Sequence, residues 1–178
     1  NYITKQHVTQ LSFYVNNITI TIIMTIINLY LQIHNYTVEV SKNIKNLEDI
    51  FQLRYKIYKK IKFIETNENK IFYDNYDLFS QSFYVKYKDS IISSVRVTFN
   101  NNVIGFTTTN YFNIDISKYD ASKMVCIGRW VKDKNIVLNS TTQHLLDIQL
   151  FYQVLKVLYK HNIRYIIFDS PINLINHI

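Results

Sequence analysis

The segment Ile91-Ile92-Ser93-Ser94-Val95-Arg96-Val97 predicts a buried β-strand, yet it contains an arginine. Arg54 interrupts the apolar stripe of a predicted helix in the same way, and Arg129 lies in a later predicted strand, Cys126-Ile127-Gly128-Arg129-Trp130. A buried charge is costly unless an opposite charge pairs with it. The acidic turn Asp74-Asn75-Tyr76-Asp77 provides carboxylates. We therefore predict that these arginines and aspartates meet in one functional cluster.

The sequence around these residues predicts one α/β (α+β) domain with the element order β-α-β-β-β-α-β, a mixed sheet with helices packed on it. Tyr36 to Val40 alternate between apolar and polar residues, as a half-buried strand does. Asn46 is the predicted N-cap of the first helix, and Ser140-Thr141-Thr142 begin a long helix that runs to about His161. The other predicted features are strands at 82–88, 91–99, 124–131 and 163–168, a tight turn at 88–90 and irregular pairing over 103–112.

Periodicity also predicts which side chains face the core. On strand 91–99, strict alternation separates Ile92, Ser94, Arg96 and Thr98 from Ile91, Val95, Val97 and Phe99. On the long helix, the predicted core face is Leu145, Ile148, Tyr152, Leu155 and Tyr159, and the predicted outer face is Gln149, Gln153, Lys156 and Lys160.

Residues 1–35 differ from the rest of the chain, and we predict that they form an N-terminal appendage to a domain spanning residues 36–178. No Asp, Glu, Lys or Arg occurs from His7 to Val38. The apolar run Ile18–Ile33 is shorter than the about 20 residues that a membrane-spanning helix needs. A signal peptide, a strand and a helix lying on the membrane surface remain open alternatives. Any membrane contact is expected through residues 11–33.

Composition indicates a globular protein and excludes several kinds of site. At 178 residues, the chain is long enough for one domain with a hydrophobic core. The single cysteine excludes an internal disulfide, and the five histidines lack metal-ligand spacing, so we predict no metal. The net charge of +7 suits acidic partners, although a compositional bias towards lysine explains it equally well. Most aromatic residues fall at core-facing positions, so we predict no nucleic-acid partner.

Four short motifs, taken in order, resemble a known family. They are Arg54-Tyr55-x-x-Tyr58, Asp74-x-Tyr76-Asp77, Val95-Arg96-Val97 and Gly128-Arg129-Trp130-Val131. Over roughly residues 40–168 the chain is similar to the GNAT-fold acyl-homoserine lactone (autoinducer) synthases and to their relatives, the long-chain N-acyl amino acid synthases. The resemblance implies a strongly twisted mixed sheet flanked by helices, with two central parallel strands that splay apart around the acyl donor.

The resemblance also implies a set of site residues. The family's charged catalytic cluster falls on Arg54, Asp74, Asp77, Arg96 and Arg129. The sequence departs from the family pattern at Cys126, where these synthases carry a glutamate, and at Gly128, where they carry a hydroxyl residue. No glycine occurs from Lys132 to Thr142, before the long helix. The chain stops soon after the last predicted strand, so we expect it to be C-terminally truncated relative to the family fold.

Acyl transfer from a thioester to an amine requires donors for the oxyanion and a site that holds both substrates. We expect the backbone near Ile127, Gly128 and Trp130, and the helix start at Ser140 and Thr141, to bind the donor. The donor is acyl-ACP (acyl carrier protein) or acyl-CoA, the acceptor is a small amine, and no cofactor is tightly bound. The lysines at 56, 59, 60 and 62 suit an acidic carrier or form an ordinary solvated face.

Two functions follow from these observations. The first is an N-acyltransferase that joins a fatty acyl group to the amine of an amino acid or related metabolite, in the cytoplasm or on a membrane. The alternative is a GNAT-like remnant that binds an acyl chain or a carrier without catalysis. The charged cluster favours the enzyme, whereas Cys126 and the short C-terminus favour the remnant.

Overall fold

The computed structural model describes residues 8–10, 17–41, 44–106, 108–109 and 115–169. The strands are β1 Val8–Gln10, β2 Tyr36–Val40, β3 Ser80–Tyr87, β4 Ser90–Phe99, β5 Met124–Lys132 and β6 Tyr165–Asp169. The helices are α1 Asn17–Ile33, α2 Ile44–Lys60 and α3 Ser140–Lys160, with short 3-10 turns at Asn75–Phe79 and Ala121–Lys123. From residue 36 onward this is the predicted order of elements. Residues 103–106 form a turn and loop in place of the predicted pairing, and 107 and 110–112 lie outside the described residues.

The strands form one six-stranded mixed sheet in the order β1-β6-β5-β4-β3-β2. Among the described strands, the neighbours β5 and β6 run parallel, and the other neighbouring pairs are antiparallel. The parallel pair is joined by α3, as a parallel connection requires a crossover. The last described pairing of β5 with β6 is Gly128 with Asp169, so β5 continues for the stretch 129–132 beyond it. Whether the two strands then splay apart, as the resemblance implies, concerns positions past Asp169, which lie outside the described residues.

Helices cover both faces of the sheet. On one face, α1 and α3 pack over the main core, to which they contribute Leu31, Leu146, Leu150 and Leu158. On the opposite face, α2 packs over β4 and β5 through Leu53 and other members of a smaller apolar cluster. The charged residues of the sequence motifs lie on the α2 face, beside this apolar cluster.

Two β-bulges change which side chains share a face. Between β3 and β4 the register shifts at Ile92, and between β4 and β5 it shifts at Arg129 and Trp130. An extra residue reverses the alternation on one side of a bulge. Ile92 therefore joins Val95 in the main core, and Ile91 joins the α2 cluster. The prediction that put Ile91 with Val95 and Ile92 with Ser94 was wrong, since it assumed unbroken alternation.

Two predicted helix caps were also wrong, and the predicted core face of α3 was right only in part, since Leu145 and Leu155 pack against the main core while Ile148 and Tyr159 are exposed. Asn46 lies inside α2, where its side chain donates to the Tyr84 hydroxyl. The N-cap of α3 is Asn139, whose Oδ1 accepts from Thr142 N at 2.7 Å. The buried face of α3 consists of Thr142, Leu146, Gln149, Leu150, Val154 and Leu158. Apolar residues occur on every side of this helix, so their spacing did not identify the buried one.

The N-terminal residues contribute to the fold where the structure describes them. β1 pairs antiparallel with β6, and α1 buries Leu31 completely in the main core. The remainder of the α1 surface carries exposed isoleucines, including Ile18, Ile26 and Ile33. None of the helices in the described ranges combines the length and apolar character needed to cross a bilayer. The boundary at residue 35 remains a prediction.

The face of α3 can be tested by two alanine substitutions on the same helix. Leu150 is 1% exposed, so Leu150→Ala should lower the free energy of unfolding by about 2–5 kcal/mol through lost burial and a new cavity. Ile148 is 48% exposed, and Ile148→Ala should lower it by less than about 1 kcal/mol. Urea unfolding measures both values. Equal losses, or a larger loss for Ile148→Ala, would contradict the packing described.

Candidate active site

Five charged side chains from four parts of the chain meet on the α2 face of the sheet. Each of them contacts at least one partner of opposite charge. The five are Arg54 from α2, Asp74 and Asp77 from the acidic turn, Arg96 from β4 and Arg129 from β5. This is the cluster that the sequence predicted. We call it the charged cluster.

The deepest member of the charged cluster is Arg54. Its side chain is completely buried, and Nη1 donates to Asp77 Oδ1 at 2.7 Å. Nη2 donates to Ser82 Oγ at 3.2 Å, and the guanidinium lies 5.5 Å from the centre of the Phe51 ring. Burial lowers the pKa of Arg54 from its ordinary value, and attraction to Asp77 opposes that shift. The ion pair with Asp77 therefore stabilises a charge that burial alone disfavours.

Arg96 joins the two carboxylates. Its Nη1 lies 2.6 Å from Asp74 Oδ1 and 3.1 Å from Asp77 Oδ2, and its side chain is 2% exposed. Arg96 pairs across the sheet with Ser82 of β3 and with Gly128 of β5. Beside the long Arg96 side chain, one neighbouring strand therefore has a small serine and the other has a glycine without a side chain. This arrangement leaves room for a buried arginine in the middle of a sheet.

The acidic turn is shaped by its own carboxylates. Asp74 caps the 3-10 turn by accepting from Tyr76 N at 3.0 Å, and Asp77 Oδ2 accepts from Asp74 N at 2.9 Å. This reciprocal arrangement is a capping box, which the spacing of two acids three residues apart permits. Each carboxylate therefore bonds to backbone amides and to arginines at the same time. The turn holds both acids in fixed orientations.

Arg129 reaches the charged cluster through the bulge in β5. Its backbone is left-handed, with φ 55°, which costs a non-glycine residue roughly 1–2 kcal/mol. Its Nη2 donates to Asp74 Oδ2 at 2.8 Å, and its guanidinium lies 5.4 Å from the centre of the Phe72 ring. With 14% of the Arg129 side chain and 23% of the Asp74 side chain exposed, these two form the solvent-facing edge of the charged cluster.

The electrostatics of Asp74 limit its chemistry. Burial raises the pKa of this carboxyl, but the charges and hydrogen bonds of Arg96 and Arg129 outweigh burial, and the net pKa lies below the ordinary value of 3.8. A carboxylate with a lowered pKa is a weak general base near neutral pH. Asp74 is therefore suited to positioning arginines or binding an amine.

The residues predicted to bind the donor do not form one group. Ile127 is buried in the main core and Trp130 packs against it, so both side chains lie on the face opposite the charged cluster. Gly128 lies between Arg96 and Asp169 in the sheet, directly before Arg129. The two hydroxyl residues predicted at the helix start, Ser140 and Thr141, are exposed in the first turn of α3.

Cys126 lies two residues before Gly128 on β5, and other residues cover its side chain. Its Sγ is 2.9 Å from Thr108 Oγ1, and it packs with Phe106, Met124 and Ile167 in a separate apolar cluster. The whole Cys126 residue is 2% exposed. No carboxylate therefore occupies this position, in contrast to the pattern of the synthases that the sequence resembles.

Sequence reasoning missed several neighbours of the charged cluster. Ser82, Phe51 and Phe72 all contact its arginines. The register offered one signal, because Ser82 occupies the β3 position opposite Arg96. Phe72 had no signal, since it lies in an irregular segment whose path depends on the amide of Phe72 donating to Phe51 O at 3.1 Å.

No group of His, Cys, Asp or Glu capable of holding a metal ion occurs among the residues that the structure describes. The charged cluster is instead an arrangement of arginines and aspartates. Such an arrangement can orient a polar substrate and stabilise negative charge that develops on it.

Comparisons with known proteins agree with this architecture. The sequence model of the family described as N-acyl amino acid synthase FeeM matches residues 49–170. The AHL synthase LasI superimposes with a TM-score of 0.59 at 11% identity, covering 79% of this chain and 75% of LasI. FeeM, an N-acyl amino acid synthase from uncultured soil microbes, gives 0.58 at 9% identity, covering 75% and 70%. Escherichia coli ElaA gives 0.50 at 13% identity, covering 80% and 82%.

No curated protein sequence is similar enough to this chain to count as a match. The structural similarities confirm the predicted GNAT-like fold, because their identities are too low to carry more than the fold.

The lowered pKa of Asp74 predicts a specific pH dependence of stability. A carboxyl whose folded pKa lies below its unfolded pKa adds stability above the unfolded value, and this contribution is lost as pH falls through the folded value. Asp74→Asn should therefore lower the free energy of unfolding by about 1–3 kcal/mol at pH 7 and make its decline below about pH 4 shallower. Urea unfolding across this pH range measures the slope.

The matched control is Asp89→Asn, because Asp89 lies in the exposed turn between β3 and β4. Its slope should follow that of the unmodified protein. A slope for Asp74→Asn that matches the control would contradict the assigned role of Asp74.

Proposed function

The chain belongs to the N-acyl amino acid synthase FeeM family, and from this membership we propose that it transfers a fatty acyl group from a thioester to the amine of an amino acid or a related metabolite. The chain is an N-acyltransferase of the GNAT kind. The donor and the acceptor are the proposed part. The observation that carries the proposal is the charged cluster, which brings five charged groups together beside residues 128–129 of β5.

The reaction joins the acceptor nitrogen to the thioester carbonyl carbon and releases a thiolate. The amine must lose a proton, and the carbonyl oxygen becomes an oxyanion in the tetrahedral intermediate. Beyond Gly128, the stretch 129–132 of β5 has no described partner in β6, so its backbone N–H groups are candidates for the oxyanion donors. Gly128 has no side chain to obstruct an approaching thioester.

The acceptor is proposed to bind at the solvent-facing edge of the charged cluster. Arg129 can hold a carboxylate through its planar guanidinium, and Asp74 can hold an ammonium group. An amino acid carries both groups. Arg54 and Arg96 are too buried for direct contact, so we assign them and Asp77 to positioning the edge residues.

An acyl carrier protein is the favoured donor. A pyrophosphate group usually binds at a glycine-rich helix start, where backbone N–H groups point at it. Residues 132–142 contain no glycine, and the Asn139 cap already accepts from Thr142 N by its side chain and from Gln143 N by its carbonyl. Acyl-CoA remains the other donor to be tested.

Membrane contact through α1 is a further part of the proposal. Five large apolar side chains on this helix are each more than half exposed: Ile18, Ile22, Ile26, Leu29 and Ile33. Exposed apolar surface of this extent marks an interaction site. A lipid surface suits it because the acyl product is itself apolar and the chain carries a net charge of +7, which favours anionic lipid.

The acyl-transfer proposal is tested with purified protein, acyl-ACP or acyl-CoA, and a mixture of amino acids. Mass spectrometry should detect an N-acyl amino acid. Arg129→Ala should lower kcat/KM at least about 100-fold, because orientation of the acceptor is lost. Arg129→Lys should recover part of it, since lysine keeps the charge but not the planar pair of donors.

The control for these variants is Arg164→Ala, which removes an exposed arginine far along the chain from the charged cluster. Its kcat/KM should change by less than about twofold. Unchanged turnover in Arg129→Ala would remove Arg129 from the site. If no donor gave any product while a carrier still bound, the binding remnant would be favoured over the synthase.

Membrane contact is tested by sedimentation with vesicles that contain anionic lipid. The double variant Ile22→Ser, Ile26→Ser should bind at least about fivefold less, because the buried apolar area falls. The control double variant Val103→Ser, Val137→Ser changes residues that are 90% and 92% exposed in loops and should bind as before. Equal binding of both variants would exclude α1 as the contact.

A further inference from the structure

A groove on the outer side of α2 has the charge and shape of an anion-binding site. It has a volume of about 720 Å³ and lies between the second half of α2 and the turn at Asn69 and Lys70. Every residue that lines it is neutral or positively charged. The lining includes the lysines 56, 59, 60 and 70, and we call this groove the lysine groove.

Ion pairs account for only one of these lysines. Lys56 Nζ lies 2.6 Å from Asp133 Oδ2. Across the described part of the chain, no ion pair is formed by Lys59, Lys60 or Lys70. The helix dipole favours cations in the last turn, which explains Lys59 and Lys60. It does not explain Lys70, which comes from a different segment to the same groove.

The ring of Tyr55 supports the lysine groove from beneath. Tyr55 lines the groove and is 6% exposed, but its Oη is buried and is not open to a ligand. Lys59 Nζ lies 5.8 Å from the centre of the Tyr55 ring. The ring face therefore holds the Lys59 ammonium group at the groove through a cation–π contact.

We propose that the lysine groove binds a small ligand that carries a diphosphate or two neighbouring phosphate groups. Phosphate oxygens accept hydrogen bonds from ammonium groups, and each bond to an ionised partner is strong. The volume of the open groove falls within the range of about 300–1,000 Å³ typical of small-molecule sites. The lysines reach the groove from two separate segments, so two neighbouring phosphates can contact ammonium groups on both sides. Both a nucleotide and the nucleotide end of a coenzyme have this chemistry.

Binding in the lysine groove would also fix the segment that leads to the charged cluster. Asn67 closes a turn by donating to Ile71 O at 2.8 Å, and Lys70 lies within that turn. The chain then continues to Phe72 and Asp74, which contact Arg129. A ligand that bridges Lys70 and the α2 lysines would therefore hold this segment against α2. The proposal concerns binding and does not depend on the acyl-transfer reaction.

Isothermal titration calorimetry of the purified chain with sodium pyrophosphate at low salt tests the proposal. Lys59→Glu, Lys60→Glu should weaken the Kd at least about tenfold, because two attractive charges become repulsive. Tyr55→Phe should change the Kd by less than about twofold, because the buried Oη does not reach the groove. The control Lys156→Glu, Lys160→Glu makes the same charge change on the exposed side of α3 and should alter the Kd by less than about twofold.

Unchanged binding by Lys59→Glu, Lys60→Glu, or an equal loss in the α3 control, would overturn the proposal. Tighter binding of a polyglutamate peptide than of pyrophosphate would also overturn it, since that result assigns the groove to an acidic protein. Coenzyme A distinguishes the sources of phosphate. If its affinity exceeds that of pyrophosphate and falls in the groove variant, the ligand is a coenzyme; equal affinities assign a free nucleotide or diphosphate.

Discussion

The site depends on the pairing of buried guanidinium groups with the carboxylates of one acidic turn. Arg54 and Arg96 are among the largest fully buried side chains, and removing an ion from water costs several kcal/mol even after the protein relaxes. Arg96 contacts both Asp74 and Asp77, so it links the turn to the sheet, while Arg54 links the turn to α2. Because Arg129 of β5 also pairs with Asp74, the turn is held by charge pairs from three elements.

The same pairing decides what the acids can do in acyl transfer. Each arginine that stabilises a carboxylate also makes it a weaker base. Asp74 is thus better suited to hold an acceptor amine than to remove its proton. On β5, the residue at position 126 is a cysteine and provides no carboxylate that could act as the base. We therefore propose that the charged cluster positions substrates and that the backbone of β5 provides the oxyanion donors.

The β5 bulge brings Arg129 into the charged cluster. In a regular strand the side chains alternate strictly between the two faces. Without the extra residue of the bulge, the Arg129 side chain would not be directed towards the charged cluster. The left-handed backbone at Arg129 is disfavoured for a residue with a side chain, and the ion pair with Asp74 and the contact with Phe72 offset that cost. The solvent-facing edge of the cluster therefore lies next to Gly128, in the last described pair of β5 with β6.

The sequence by itself determined the order of elements from residue 36 and the membership of the charged cluster, because charges spaced through apolar segments must find partners on burial. Only the tertiary structure decided which side chains of the strands and of α3 face the core. The bulges at Ile92 and Arg129 depend on pairing between distant strands, and α3 is apolar on every side, so its buried face is set by the surface against which it packs. Local spacing carries no information about either contact.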